Sequence, residues 1–227
     1  MKKEIKLKGR VARSSALAPY TTLYLIRHCQ PNYALKDKLG DFAMPLSRTG
    51  INEAERLAHH LEGFGIQAVY SSAMERSRQS AEIFLHHRRC RYEVDESLNE
   101  FDWNRWYRLK YFNVNPDNRG ENIKEIPALR RLLTKEKEDG RAAIARIIRD
   151  NKGKTVAIFT HGNFIRSVLT GVLDCGIFGF LSMEIFQGSI SKLVVDSGGN
   201  VIVSYINSLS HLPHRPILDR FLSRINP

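Results

Sequence analysis

Two apolar runs in this chain each end in a histidine. Leu23-Tyr24-Leu25-Ile26 leads directly into Arg27-His28, and Val156-Ala157-Ile158-Phe159-Thr160 leads directly into His161-Gly162. Unbroken apolar runs, without polar alternation, are what strands buried on both faces require, and such strands belong to parallel sheets covered by helices. In open α/β sheets, ligands bind outside the carboxyl ends of the strands. The two imidazoles and the guanidinium are therefore expected at one sheet edge, although they lie far apart in the chain.

The rest of the chain keeps this rhythm. Ser47 is placed to cap a helix, with Ile51, Ala54, Leu57, Ala58 and Leu61 at helical spacing and Gly63 and Gly65 as the stop. Ile66–Tyr70 reads as a strand. Ser71-Ser72 then stands where a helix would begin, and that helix carries Arg76, Arg78 and Gln79 with Ala81 and Phe84 facing inward. Tyr92–Val94 is a short strand. Lys154–Thr160 is a strong one, followed by a helix through Ile165, Val168, Leu169 and Val172. Ile190–Val195 and Val201–Ile206 flank Ser197-Gly198-Gly199-Asn200, a hairpin signal.

The expected fold class is α/β: three αβα layers around a mostly parallel sheet, with an antiparallel edge strand or hairpin. Residues 1–22 are expected to form a flexible basic tail, and 23–227 a single domain. Within it, about 101–151 read as an inserted cap, aromatic at first (Trp103, Trp106, Tyr107, Tyr111, Phe112) and then charged.

Composition narrows the partners. No apolar run approaches the ~20 residues that cross a bilayer, so no membrane partner is expected. Three widely spaced cysteines, Cys29, Cys90 and Cys175, form neither a zinc pattern nor a disulfide framework, which favours a reducing, cytoplasmic setting. The formal charge is +11. Part of it is the run Lys2, Lys3, Lys6, Lys8, Arg10 and Arg13, read as a solvated tail. An organelle presequence and a nucleic-acid-binding arm are the other readings, the latter disfavoured because no nucleic-acid motif accompanies it. The oligomeric state has no signal.

The chemistry converges on phosphate. Arg27 and Arg76 can each donate paired hydrogen bonds to phosphate oxygens. A neutral imidazole can attack phosphorus and form a phosphohistidine. A second imidazole can donate to the equatorial oxygens. A carboxyl group near Asp95-Glu96-Ser97-Leu98-Asn99-Glu100-Phe101-Asp102 can protonate the leaving alkoxide, and spacing alone does not choose among the four carboxylates. No metal or other cofactor is required if these cations carry the charge.

The ordered motifs resemble the histidine phosphatase superfamily, in its phosphoglycerate-mutase-like branch. Leu23-Tyr24-Leu25-Ile26-Arg27-His28-Cys29-Gln30 resembles the Arg-His-Gly signature. Pro45-Leu46-Ser47-Arg48-Thr49-Gly50 resembles the family's helix start, and Ser71-Ser72-Ala73-Met74-Glu75-Arg76 its second arginine motif. Leu98-Asn99-Glu100 resembles the acid segment, Thr160-His161-Gly162 the second histidine motif, and Asn207 through His211-Leu212 a common ending. The resemblance implies His28 as nucleophile, with Arg27, Arg76 and His161 completing the phosphate pocket and Gly162 beside it. It implies Glu100 as proton donor and Gln30 near the pocket mouth. The implied activity is metal-independent hydrolysis of a phosphorylated small molecule or phosphoprotein. Mutase action is disfavoured, because the long arginine- and tyrosine-rich insertion of cofactor-dependent mutases is not found. Cys29 replaces the usual glycine. Glu100-Phe101-Asp102-Trp103-Asn104-Arg105-Trp106 lacks the glycines of the usual acid loop. A phosphate-recognising protein without turnover is therefore the rival reading.

Overall fold

Both apolar runs become central strands of one six-stranded sheet. The computed structural model describes residues 20–86, 88–101 and 126–213. The strands are β1 (Thr21–Arg27), β2 (Ala68–Ser71), β3 (Arg91–Val94), β4 (Thr155–Thr160), β5 (Ile190–Val195) and β6 (Val201–Ser208). Their order across the sheet is β3-β2-β4-β1-β5-β6. The first four run parallel, while β5 is antiparallel to β1 and β6 to β5. The expected hairpin thus forms the antiparallel edge, with Asp196 accepting backbone N–H bonds from Gly198 and Asn200 through its turn.

The helices are α1 (Lys36–Leu39), α2 (Arg48–His60), α3 (Glu75–Leu85), α4 (Ile126–Asp150), α5 (Gly162–Val172) and α6 (Ile177–Ser182). Period-two geometry divides the sheet's side chains between two cores. Leu23, Leu25, Tyr70, Val156 and Ile158 pack on one face with Ala143, Ile144 and Ile147 of α4 and Phe164, Ile165 and Leu169 of α5. Tyr24, Ile26, Val69, Ala157 and Phe159 pack on the other with Ala54 and Leu57 of α2 and Ala81 and Phe84 of α3. Three layers result. Helices α2 and α3 lie on one face and α4 on the other, so the winding reverses between β1 and β4, where a crevice opens at the strand ends.

Residues 102–125 of the expected cap, the N-terminal tail to residue 19, His87 and residues 214–227 lie outside the described residues. The second half of the expected cap is α4. It packs on the sheet through its inward Ala143, Ile144 and Ile147, and its other end joins Leu129 and Leu133 to Ile177 and Phe180 of α6. Among the described residues, no helix is long and apolar enough to cross a membrane.

Ser47 caps α2, its hydroxyl accepting from the Gly50 N–H at 3.0 Å. Gly65 ends that segment in the left-handed region at φ 63°. Ser71 and Ser72 do not open the next helix. Met74 occupies the cap position of α3, and both serine hydroxyls turn to tertiary partners, Tyr92 and His161.

Candidate active site

The register of β1 against β4 pairs Arg27 with Thr160. The next residues, His28 and His161, therefore leave the sheet side by side. The ladder continues one step beyond the strands: His28 N–H donates to Thr160 O at 2.9 Å and Ser72 N–H to Phe159 O at 3.0 Å. The imidazole centroids of His28 and His161 are 5.0 Å apart, and both residues are buried.

His28 has only one arrangement that satisfies both ring nitrogens. Nδ1 lies 2.8 Å from Cys29 O, a carbonyl that can only accept, so Nδ1 carries the proton. Nε2 keeps its lone pair and accepts the Nε–H of Arg76 at 3.2 Å. Burial holds the His28 pKa well below its ordinary value, and the charges of Arg76, His161 and Arg27 push the same way. His161 is lowered by burial and by Arg76 and Arg27. Both rings are neutral at pH 7, the state a nucleophile needs.

Arg76 sits in the first turn of α3. Its Nη1 donates to Asp41 O at 2.6 Å, and its Nη2 pairs with Asp41 Oδ2 at 3.3 Å. Asp41 reaches it from an excursion of chain closed by a bridge between Pro31 and Leu46. Arg27 donates through Nη1 to Ile185 O, while its buried Nε has no partner among the described residues. A Cβ on Gly162 would stand 3.2 Å from Arg27 Cζ. The missing side chain lets the guanidinium lie against the start of α5.

Three of the four acid candidates lie among the described residues, and their surroundings differ. Burial raises the Glu100 carboxyl, opposed by Arg27, by the Asn163 N–H, by Arg76 and by the Phe164 N–H, and the net shift is upward. Its oxygens accept those two N–H groups at 3.3 Å each, at the N-terminus of α5. Thr160 Oγ1–H donates to Leu98 O at 2.6 Å and Ala73 N–H to Asn99 Oδ1 at 2.9 Å, and these bonds hold the acid's segment against the strand ends. Burial pushes Asp95 up, but bonds from Ser97 and Arg146 outweigh it and hold that carboxyl low. Glu96 does not line the cavity, and Asp102 lies outside the described residues.

A cavity of about 130 Å³ joins these groups, lined by Arg27, His28, Arg76, Glu100 and Gly162 among others. The expected residues are thus brought together, with two exceptions: His161 is fully buried against the His28 ring and does not itself line the cavity, and Gln30 is directed elsewhere. Its carboxamide oxygen accepts from the Ser47 hydroxyl at 2.9 Å, and its backbone N–H donates to Glu53 at 3.0 Å. The chain returns so that Ser47 N–H donates to Gln30 O at 2.9 Å, which brings the carboxamide onto the α2 cap. Cys29 does not crowd the phosphate position either. Its side chain joins the apolar cluster of Leu46, Ala54 and Ala81, and its φ is negative.

Four further residues shape the site. Asp41, Asn163, Arg166 and Glu184 line the cavity. Arg166 is 5% exposed and donates to Phe180 O and Asn163 Oδ1. Burial lowers its pKa to about 10. Its signal was present in the sequence: an arginine at i+3 from Asn163, between the apolar positions Ile165 and Val168, shares the Gly162 end of the helix. Asp41 has no such signal, because an irregular excursion delivers it. Asn207, read as part of the C-terminal motif, stands at φ 59° and accepts the Phe186 N–H at 2.7 Å, next to the Ile185 carbonyl that holds Arg27. His211 stacks on His60 with centroids 5.1 Å apart. Among the described residues, no group of three or more His, Cys, Asp or Glu side chains is placed to hold a metal ion.

Two imidazoles, two converging guanidiniums and a carboxyl of raised pKa lie together at the switch point of a three-layer α/β sheet. The sequence model of the histidine phosphatase superfamily (branch 1) matches residues 23–208, and the chain belongs to that superfamily. A protein of Schizosaccharomyces pombe named a probable phosphatase is 25% identical over 200 residues, covering 84% of this chain and 71% of its own length. Among solved structures, a phosphoserine phosphatase of Entamoeba histolytica in complex with phosphoserine superposes with a TM-score of 0.68 at 19% identity, covering 85% of this chain and all of its own. YhfR of Bacillus stearothermophilus superposes with a TM-score of 0.68 at 24% identity, covering 84% of this chain and 98% of its own.

Proposed function

We propose that this protein hydrolyses a phosphate monoester without a metal, through a phosphohistidine on His28. The observation that carries the reading is the Nε2 lone pair of a neutral, buried His28, held at the cavity beside Arg76 and Arg27.

In the first step Nε2 attacks phosphorus and a P–N bond forms as the P–O bond to the leaving group breaks. Arg27, Arg76 and His161 offset the charge on the three equatorial oxygens. Glu100, which its burial biases toward the protonated form, gives its proton to the departing oxygen. In the second step the Glu100 carboxylate takes a proton from water, the water oxygen attacks phosphorus, and the P–N bond breaks to release inorganic phosphate and neutral His28.

The cavity's small volume supports a compact phosphorylated molecule over a folded phosphoprotein. The likeness to a fold solved with phosphoserine is consistent with this. One ground for the rival without turnover weakens, since Cys29 is packed in the apolar core; the other, the altered acid loop from Asp102 on, lies outside the described residues. Hydrolysis of p-nitrophenyl phosphate in the presence of a chelator tests the reading. Turnover in the wild type and none in His28→Ala is the expected result. Phosphate binding without turnover in the wild type would replace the enzyme with the binding protein.

A further inference from the structure

His161 carries an unusual vacancy in its hydrogen bonding. The residue is fully buried, and Nδ1 has no partner among the described residues. Buried polar atoms are nearly always paired, so an orphan of this kind calls for a reason. The other ring nitrogen, Nε2, lies 2.6 Å from the hydroxyl of Ser72, which is also fully buried.

The proton on this pair can be placed by counting. Ser72 Oγ already accepts the Met74 N–H at 3.1 Å. Suppose His161 carried its proton on Nε2. Two N–H groups would then converge on one hydroxyl oxygen, and the hydroxyl's hydrogen would have no acceptor among its contacts. Nδ1 would be a bare buried lone pair, close to the guanidiniums but bonded to neither. Two groups would be left unsatisfied. Suppose instead that Ser72 donates its O–H to Nε2. Then Met74, Ser72 and Nε2 are all satisfied in one chain, and the ring proton must sit on Nδ1. The one remaining unpaired group is an N–H donor beside the His28 ring.

We infer that Ser72 is a positioning residue that fixes His161 as the Nδ1–H tautomer, leaving that N–H unpaired in the protein so that it can donate to a phosphate oxygen. The inference rests on the phosphatase reading for the identity of the acceptor, but not for the tautomer. It also explains why Ser72, standing where a cap would be, does not cap α3. Its hydroxyl is committed across the sheet, from the end of β2 to the residue leaving β4. The neighbouring Ser71 hydroxyl instead pairs with the Tyr92 hydroxyl at 2.9 Å.

The test reads the ring itself. Two-bond 15N–1H correlation spectra of the full chain, with His161 assigned by its loss in His161→Gln, distinguish the protonated from the bare nitrogen. The expected wild-type pattern is Nδ1 protonated and Nε2 bare. In Ser72→Ala, and in the nearly isosteric Ser72→Cys should the alanine variant not fold, the pattern should become a mixture of both forms. Inorganic phosphate, titrated calorimetrically, should bind about tenfold more weakly to either variant. A wild-type His161 protonated on Nε2 would overturn the inference, as would variants with unchanged tautomer and unchanged phosphate affinity. A wild type that binds no phosphate at all would instead overturn the phosphatase reading, while the ring signal would still decide the tautomer.

Discussion

Arg76 donates its Nε–H to His28 Nε2 at 3.2 Å. In the proposed mechanism this guanidinium holds phosphate and this nitrogen attacks it, so a bound phosphate would take over the bond that now joins the two. Asp41 holds the guanidinium from behind, through a carbonyl and a carboxylate.

Arg76→Ala should therefore lower kcat/KM by roughly 10²–10³-fold, the loss typical of removing one preorganised donor. Arg76→Lys should recover little, because a single ammonium cannot reproduce the planar fork that meets His28 and Asp41 together. Steady-state kinetics on p-nitrophenyl phosphate measure this. An unchanged kcat/KM would remove Arg76 from the site.

Glu100→Gln should harm substrates with alcohol leaving groups far more than nitrophenyl ones, because nitrophenolate departs without protonation. Comparing glycerol phosphate with p-nitrophenyl phosphate gives the ratio. Equal losses would shift the acid's role to another carboxylate.

The acid dependence of stability has a definite sign. His28 and His161 both titrate below their ordinary value of 6.5 in the fold. Between the folded and unfolded values the unfolded chain binds more protons, so stability is full above the unfolded pKa and is lost as pH falls through the folded ones. Glu100, raised above 4.5, acts with the opposite sign over its own window. Urea midpoints measured from pH 7.5 down to 5.5 should fall, and His161→Gln should flatten the slope. A midpoint that does not move with pH would contradict neutral, buried imidazoles.

Two glycines separate stability from activity. A Cβ on Gly50 would meet the Gln30 carbonyl oxygen at 2.0 Å, a backbone atom that cannot turn aside. Gly50→Ala should cost about 1–3 kcal/mol of stability. On Gly162 the atoms nearest the added methyl belong to the Arg27 guanidinium, at 3.2–3.4 Å. Gly162→Ala should keep its Tm within a few degrees yet lose phosphate affinity. Thermal melts paired with phosphate titrations distinguish the two, and a destabilised but fully active Gly162→Ala would place Arg27 away from phosphate.

Much of this site was legible in the sequence, because strands buried on both faces announce themselves as apolar runs and their carboxyl ends are where ligands bind. His28, His161 and Arg27 followed from that alone. Arg76 followed from its place one turn into the helix after β2. Spacing alone did not choose among the neighbouring acids, and Glu100 was named only by the family resemblance; the structure adds the two backbone N–H groups of α5 at its carboxyl and Arg146 capturing Asp95. Gln30 was misplaced because a side chain beside a helix cap can be drawn to the cap rather than to the ligand. Asp41 and Glu184 were invisible. Irregular loops carry them, and no periodicity tells where a loop returns. The long helix α4 was read as part of a cap because its charged outer face dominates the sequence, while its inward Ala143, Ile144 and Ile147 give a sparse apolar stripe.

The account stands or falls on the bond formed at His28. Rapid acid-free quenching of the wild type with a 32P-labelled monoester should trap a phosphoprotein that is stable in base and labile in acid, with the label on His28 and none in His28→Ala. Turnover with no trapped species, or label retained in His28→Ala, would contradict it.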